Sequence, residues 1–280
     1  MPELPEVETV CRGLAKALTG AWIESVEQHR GDLRAAFPKN LPARLKGRRV
    51  EKIERRAKYI LITLDMSKTL LLHLGMSGRI LLADNDREPP GKHDHLVFHF
   101  RNGITLRFND PRRFGMCDLA ATHDLPRYKL LHGLGIEPFS PQLTSTFLAA
   151  KFKGKKTSVK AALLDQRIIA GIGNIYASEA LFHAGISPRR KAGKCTKVQI
   201  AKLVPAIRKV LKAAIAAGGS SLRDYRQANG ELGYFQNRFA VYDRAGKACP
   251  GCRCDIKKTG GIRQVAQAGR SSFFCPRKQD

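Results

Sequence analysis

Residues 50–74, VEKIERRAKYILITLDMSKTLLLHL, decide the architecture of the first half of the chain. Within them Val50–Ile53, Tyr59–Leu64 and Thr69–Leu74 are short apolar or alternating runs separated by brief charged breaks. Side chains on a strand point alternately to its two faces, so runs of this length predict antiparallel strands joined by tight turns. The pattern continues outward through Arg79–Leu82, His95–Phe100 and Ile104–Phe108, with Asn102-Gly103 as a turn signal. Residues 22–120 therefore read as an antiparallel sandwich or barrel.

Upstream, a helix is expected from Pro5. Proline suits a first helical position, Glu6 and Glu8 suit the positive end of the helix dipole, and Val7, Val10, Cys11, Leu14 and Leu18 recur at helical spacing before Gly20. Downstream of Leu119 the period changes, and Leu143–Lys151, Ser158–Asp165, Asn174–Ala184 and Lys197–Ala217 read as helices. Thr196 and Gln199 form a capping box for the last of these, and Pro205 is expected to kink it. The boundary falls in 121–142, among Pro126, Pro138 and Pro141. The expected division is 1–130, 131–240 and a closing appendage 241–280, too short to fold on core burial alone.

Composition fixes the sign of the partner. The 280 residues carry 50 Lys+Arg against 24 Asp+Glu, a net charge of +26, so a polyanion is expected. No run of apolar residues is long enough to span a membrane, and the first residues lack the pattern of a signal peptide, so a soluble, intracellular protein is expected. Of the seven cysteines, Cys249, Cys252, Cys254 and Cys275 cluster near the end. Such clustering favours a metal site over a disulfide framework, and C-x2-C with a distant thiolate is a zinc signal.

Several segments could carry chemistry. Ala170-Gly-Ile-Gly-Asn-Ile-Tyr176 either packs two helices through glycine or cradles a phosphate on backbone N–H groups at a helix start, with Asn174 as cap or phosphate ligand. In Asn109-Asp-Pro-Arg-Arg-Phe114 the Asp-Pro sets a turn, the arginines could replace a lost base partner, and Phe114 is either a wedge or a core residue. Met76, between glycines, has the same two readings. Lys92-His-Asp-His95 falls short of a metal set and reads as a phosphate contact through His93 or as core hydrogen bonding. Removal of Met1 would expose the secondary amine of Pro2. An α-amine titrates near about 7.7–8, so part of it is nucleophilic at neutral pH. Glu3 is the adjacent candidate acid.

In their order along the chain, MPELPEVETV, Lys58 in RRAKYIL, HLGMSGRI, KHDH, NDPRRFG, LLDQ, AGIGNIYASEALF and GELGYFQ resemble the bacterial formamidopyrimidine-DNA glycosylases over essentially the whole sequence. The resemblance implies an α+β protein: an N-terminal β-sandwich with a leading helix, a helix-two-turn-helix domain and a C-terminal zinc-finger hairpin. It implies a bifunctional glycosylase and abasic-site lyase acting on 8-oxoguanine and formamidopyrimidines in double-stranded DNA, by Schiff base to Pro2 and β,δ-elimination. Such an enzyme would be a monomer in the bacterial cytoplasm, at the nucleoid and away from membranes.

Residue by residue, the resemblance makes Pro2 the nucleophile and Glu3 the acid partner, with Glu6 nearby. Lys58, Asn174 and Arg270 match phosphate-holding residues. Met76, Arg112 and Phe114 match the trio that fills the gap left by the flipped nucleotide. Glu179 aligns with an acid near the base pocket, Lys156 is a candidate DNA or base contact, and Ser221–Tyr225 match a loop over the flipped base. An endonuclease VIII-like enzyme acting on oxidised pyrimidines and a non-catalytic damage sensor are the alternatives. The chain departs from the family at its end, where Lys278 stands in place of the last cysteine of a second C-x2-C. One zinc held by Cys249, Cys252, Cys254 and Cys275 is therefore expected, against a three-cysteine site or a metal-free finger.

Overall fold

The computed structural model describes residues 2–84, 88–221, 226–252 and 255–279. The chain divides into two compact units. The first comprises 1–132 and 215–236, and the second 133–214 and 237–280.

The first unit opens with helix α1 (Leu4–Leu18), which buries Leu4, Val7, Val10, Leu14 and Leu18 along one stripe. Each such side chain is worth about 1.5–3 kcal/mol when fully buried, so Leu14→Ala in the middle of the stripe costs about 2–5 kcal/mol. The helix ends at Thr19, and Gly20 takes the left-handed φ of 86° that turns the chain back.

Two four-stranded antiparallel sheets follow. One runs in the order β1 (Ile23–Gln28), β6 (Asp94–Phe100), β7 (Ile104–Asn109), β5 (Arg79–Asp84). The other runs β2 (Val50–Arg56), β3 (Tyr59–Leu64), β4 (Lys68–His73), β8 (Met116–Ala121). The short helix α2 (Leu41–Leu45) lies between β1 and β2 in sequence. Inward side chains of both sheets, among them Ile53, Ile62, Leu72, Ile80, Phe98 and Phe108, join α1 in one apolar core.

Helix α1 is also fixed by polar contacts. Arg55, almost buried on β2, donates from Nε to Glu8 at 3.0 Å and from Nη1 to Ala57 O at 3.0 Å. The second bond reaches the β2–β3 turn, where Arg56 pairs with Tyr59 and Ala57 sits at φ 53°.

In the second unit, α3 (Ser145–Phe152), α4 (Val159–Leu164), α5 (Asn174–Ala184) and most of α6 (Lys197–Ala216) form the helical body. Thr196 and Gln199 make the expected box, Thr196 N to Gln199 Oε1 at 3.0 Å and Gln199 N to Thr196 Oγ1 at 3.1 Å. Pro205 lies within one uninterrupted α6, so a missing donor in mid-helix does not divide it when the rest of the apolar stripe is buried.

The closing segment contributes α7 (Ile256–Thr259) and the hairpin β9 (Arg263–Gln267)–β10 (Arg270–Phe274). Ala268 and Gly269 both have positive φ, 48° and 73°, the pair of left-handed residues that suits a two-residue hairpin turn. This segment does not stand alone. Phe273 and Cys275 pack with Phe182 of α5, Val241 and Ile262 in a shared apolar cluster. Burial against a neighbour replaces the independent core that so short a segment lacks. No described helix is long and apolar enough to cross a membrane.

Candidate functional site

At the start of α1 the expected reacting pair is buried. Pro2 is buried, Glu3 is 3% exposed and Glu6 is 2% exposed. Glu6 occupies the third helical position, where its Oε2 reaches back to accept the N–H of Glu3 at 2.8 Å. Its other oxygen, Oε1, accepts the N–H of Ser220 at 2.8 Å. A carboxylate read from sequence as a helix starter thus joins the N-terminus to the segment that follows α6.

That segment belongs to the first unit, a placement sequence periodicity did not reveal. Its two flanks are tied together by Phe235 N to Gly219 O, Gly233 N to Ser221 Oγ and Ser221 N to Gln236 Oε1. Of the loop Ser221–Tyr225, residues 222–225 lie outside the described ones.

Lys58 follows the left-handed Ala57 at the β2–β3 turn and is 8% exposed. Its charge acts on His73, at the end of β4. Burial first, then the charges of Lys58 and Arg34, lower the His73 pKa to about 4. The neutral ring accepts the N–H of Gly75 through Nδ1 at 3.0 Å, so it anchors the loop carrying Met76.

Met76, Arg112 and Phe114 lie on two loops held against each other. Met76 and Phe114 are 40% and 42% exposed, and the Arg112 guanidinium stacks 5.2 Å from the Phe114 ring centroid. A water-facing Met and Phe contradict the core reading of both residues. At Gly75, φ is 61°, and a Cβ would lie 2.3 Å from the Phe114 carbonyl carbon, so the loops touch backbone to backbone.

Asp110, fully buried, organises this arrangement, and sequence reasoning gave it only a turn-setting role. Its Oδ1 accepts the Ser77 hydroxyl at 2.6 Å and its Oδ2 the Gly115 N–H at 2.7 Å. Ser77 Oγ in turn accepts the Arg112 N–H at 3.2 Å. The available signal was Asp before Pro in a turn that also holds small residues, but the partner Ser77 is far away in sequence.

His95 donates or accepts through Nε2 at the Asp110 carbonyl, 2.8 Å away. A register shift between Asp94 and Leu96 interrupts the plain alternation of β6 here, and such irregularities re-aim side chains. His95 is thus a core hydrogen-bonding residue. His93 is half-buried just before β6, with its ring 6.5 Å from that of His95.

In the second unit, Gln166 closes the glycine turn by accepting Gly171 N–H at 2.7 Å and donating to Ile172 O at 2.8 Å. The turn leads into α5 at Asn174. Asn174 Nδ2 donates to Ser271 O at 3.0 Å, while its Oδ1 is buried without a partner. The start of α5 thus lies against Ser271, the neighbour of Arg270, which is exposed at the head of β10. Lys156 is exposed on the loop before α4.

Glu179, on α5, holds backbone of the segment that precedes the closing hairpin. It is 1% exposed, and its two oxygens accept the N–H groups of Ala240, Val241 and Tyr242 at 2.8, 2.9 and 2.8 Å. Burial raises its pKa while those three amides and Arg244 oppose the rise. Both oxygens are engaged by backbone, which ties α5 to residues 240–242.

The sulfurs of Cys249, Cys252 and Cys275 lie within 4.8 Å of one another, which fits three corners of a tetrahedral thiolate site. Burial and the neighbouring Cys275 push the Cys249 thiol up to about 11, so ligation requires the metal to displace a proton. Cys254 lies outside the described residues. The three close thiols could hold a metal ion. Lys278, at the expected fourth position, holds its ammonium 4.5 Å from the Phe182 ring centroid.

Residues 1–117 match the Formamidopyrimidine-DNA glycosylase N-terminal domain and residues 134–226 the Formamidopyrimidine-DNA glycosylase H2TH domain. The chain belongs to this family. It is 53% identical to the Formamidopyrimidine-DNA glycosylase of Ruegeria pomeroyi and 51% identical to that of Rhodospirillum rubrum, with 100% of each chain covered. Among solved structures, a Lactococcus lactis family member in complex with Fapy-dG containing DNA superposes with a TM-score of 0.90 at 34% identity over 100% of both chains. The family protein from Thermus thermophilus gives 0.86 at 39% identity, over 99% of this chain and 98% of that one. Family membership accounts for the β-sandwich, the helical unit and the closing hairpin together.

Proposed function

We propose that this chain is a base-excision repair glycosylase that removes formamidopyrimidines and 8-oxoguanine from duplex DNA and then cleaves the abasic site. The names of its relatives and the lesion-bearing DNA in family complexes support this reading. The observation that carries it is the buried Pro2–Glu3 pair, fixed by the Glu6 carboxylate at the first turn of α1.

After loss of Met1, the Pro2 amine attacks the sugar C1′. The bond from C1′ to the damaged base breaks, and the base leaves with a proton supplied by an acid, the role assigned to Glu3. Opening of the sugar ring, with protonation of its oxygen, leaves an iminium between Pro2 and C1′. The iminium acidifies the C2′ proton. Loss of that proton expels the 3′ phosphate, and a second elimination expels the 5′ phosphate. Lys58, Asn174, Arg270 and His93 are assigned to backbone phosphates, and Met76, Arg112 and Phe114 to the gap in the duplex. Where zinc is the ion, Cys249, Cys252 and Cys275 would hold it, and its contribution would be a cross-link in the closing segment. The working form is a monomer in the cytoplasm.

Borohydride reduction of the enzyme mixed with abasic or 8-oxoguanine duplex tests the proposal. A covalent adduct that is lost in Pro2→Gly is expected, whereas an adduct that survives unchanged refutes the assignment of Pro2. Absence of any adduct refutes the lyase chemistry.

A further inference from the structure

The hairpin that presents Arg270 is fastened to the helical body by polar contacts that involve no thiol. Lys160, 1% exposed on α4, donates from Nζ to Ser271 O at 2.7 Å and to Ser272 Oγ at 2.8 Å. An ammonium taken out of water is costly unless its protons find acceptors, so this contact resists separation. Glu179 holds three successive backbone amides at 240–242, and the Tyr242 ring packs 5.1 Å from Phe273 of β10. Past the end of β10, the Gln279 side chain accepts Cys275 N–H at 2.9 Å and donates to Ile186 O at 2.8 Å. Lys278 joins two further points, with Nζ over Phe182 of α5 and 3.4 Å from Pro250 O, inside the Cys249–Cys252 knuckle.

The Lys160 contact lies in the first half of β10, and the Cys275 thiol lies just past its end. Lys160 grips Ser271 and Ser272, next to Arg270, whereas Cys275 is three to four residues further on, roughly 10–13 Å away at about 3.3 Å per residue. A metal at the thiols would fix the remote end of the strand. The end that carries Arg270 is fixed by α4.

We propose that Lys160 and Glu179 are positioning residues that seat Arg270 for its phosphate, and that the polar clamp, with Lys278 bridging the knuckle to α5, keeps the hairpin seated without a metal ion. The proposal rests on the phosphate role given to Arg270 under Proposed function. The thiols remain able to take an ion, but the seating of the hairpin does not depend on it.

Hydrogen–deuterium exchange at the amides of 263–274 in full-length, reduced protein without DNA tests the clamp, with metal content measured before and after chelation. Binding to a duplex carrying a stable abasic-site analogue is measured on the same samples. Chelation, or Cys249→Ala with Cys275→Ala, is expected to change both exchange and affinity by less than about threefold. Lys160→Met is expected to speed exchange at 270–273 at least tenfold and to weaken duplex binding by a similar factor. Glu179→Gln is expected to loosen 240–242 independently. Ser272→Ala, which removes one acceptor and leaves the lysine paired to Ser271 O, gives a milder change of the same kind and decides the matter should Lys160→Met not fold. Chelation that frees the hairpin amides as far as Lys160→Met does overturns the proposal, as does unchanged exchange in Lys160→Met or, in its stead, in Ser272→Ala. Faster exchange with unaltered duplex affinity upholds the clamp and overturns the phosphate role of Arg270.

Discussion

Replacing Asp110 with alanine should release the two loops that carry Met76, Arg112 and Phe114. The carboxylate is fully buried and accepts two hydrogen bonds, from Ser77 Oγ at 2.6 Å and Gly115 N at 2.7 Å. Bonds to a charged group contribute about 1.5–3 kcal/mol each, and their loss leaves a buried N–H and a hydroxyl to be rehydrated. The expected loss is therefore about 3–5 kcal/mol, a large part of the roughly 5–15 kcal/mol that stabilises a typical domain. Trp22 is the sole tryptophan and lies in the first unit, so its fluorescence during urea unfolding reports on the unit concerned. The midpoint should fall with little change in slope. Ser77→Ala, which leaves Asp110 Oδ1 and the Arg112 N–H without their shared hydroxyl, should cost about 1–3 kcal/mol. The double variant should show a coupling of about 1–2 kcal/mol. Under native conditions, affinity of Asp110→Ala for an abasic-analogue duplex should fall at least tenfold. A stability loss under about 1 kcal/mol, or strictly additive variants, refutes the organising role.

Gly75→Ala should cost more than about 2 kcal/mol, because it combines a left-handed φ of 61° with a Cβ 2.3 Å from Phe114 backbone; a variant as stable as the parent contradicts the loop contact. His73, with a folded pKa of about 4 against 6.5 when unfolded, should lower stability as pH falls from 6.5 toward 4, since the unfolded state binds the extra proton there. An NMR titration showing the His73 ring inflecting near 6.5 is incompatible with that burial. Duplex binding should weaken about a thousandfold between 50 and 200 mM salt if about six phosphates are contacted, and a flat dependence excludes the phosphate assignments.

The local parts of this fold were legible in the sequence because local interactions determine them. The stretches Tyr59–Leu64 and Asn174–Ala184 match β3 and α5 residue for residue, and the Thr196–Gln199 box needed only a spacing of three. The ordered motifs sufficed for the family, since each is contiguous. The strands Ile23–Gln28 and Met116–Ala121 were not marked out individually, because β1 has an edge strand's mixed burial and β8 ends in small residues.

What the tertiary structure decided concerns partners far apart along the chain. Sequence placed Glu6 at a helix start, and the fold gave its second oxygen to Ser220. Resemblance placed Glu179 near a base pocket, and what the fold adds is the bonding of its carboxylate to the amides of 240–242. Sequence marked Lys278 as a missing ligand, and the fold set its ammonium between Phe182 and Pro250. A buried charge must find acceptors or donors wherever the chain brings them. Spacing fixes the neighbours three or four residues away, while only the packed core decides which distant backbone arrives within three ångströms.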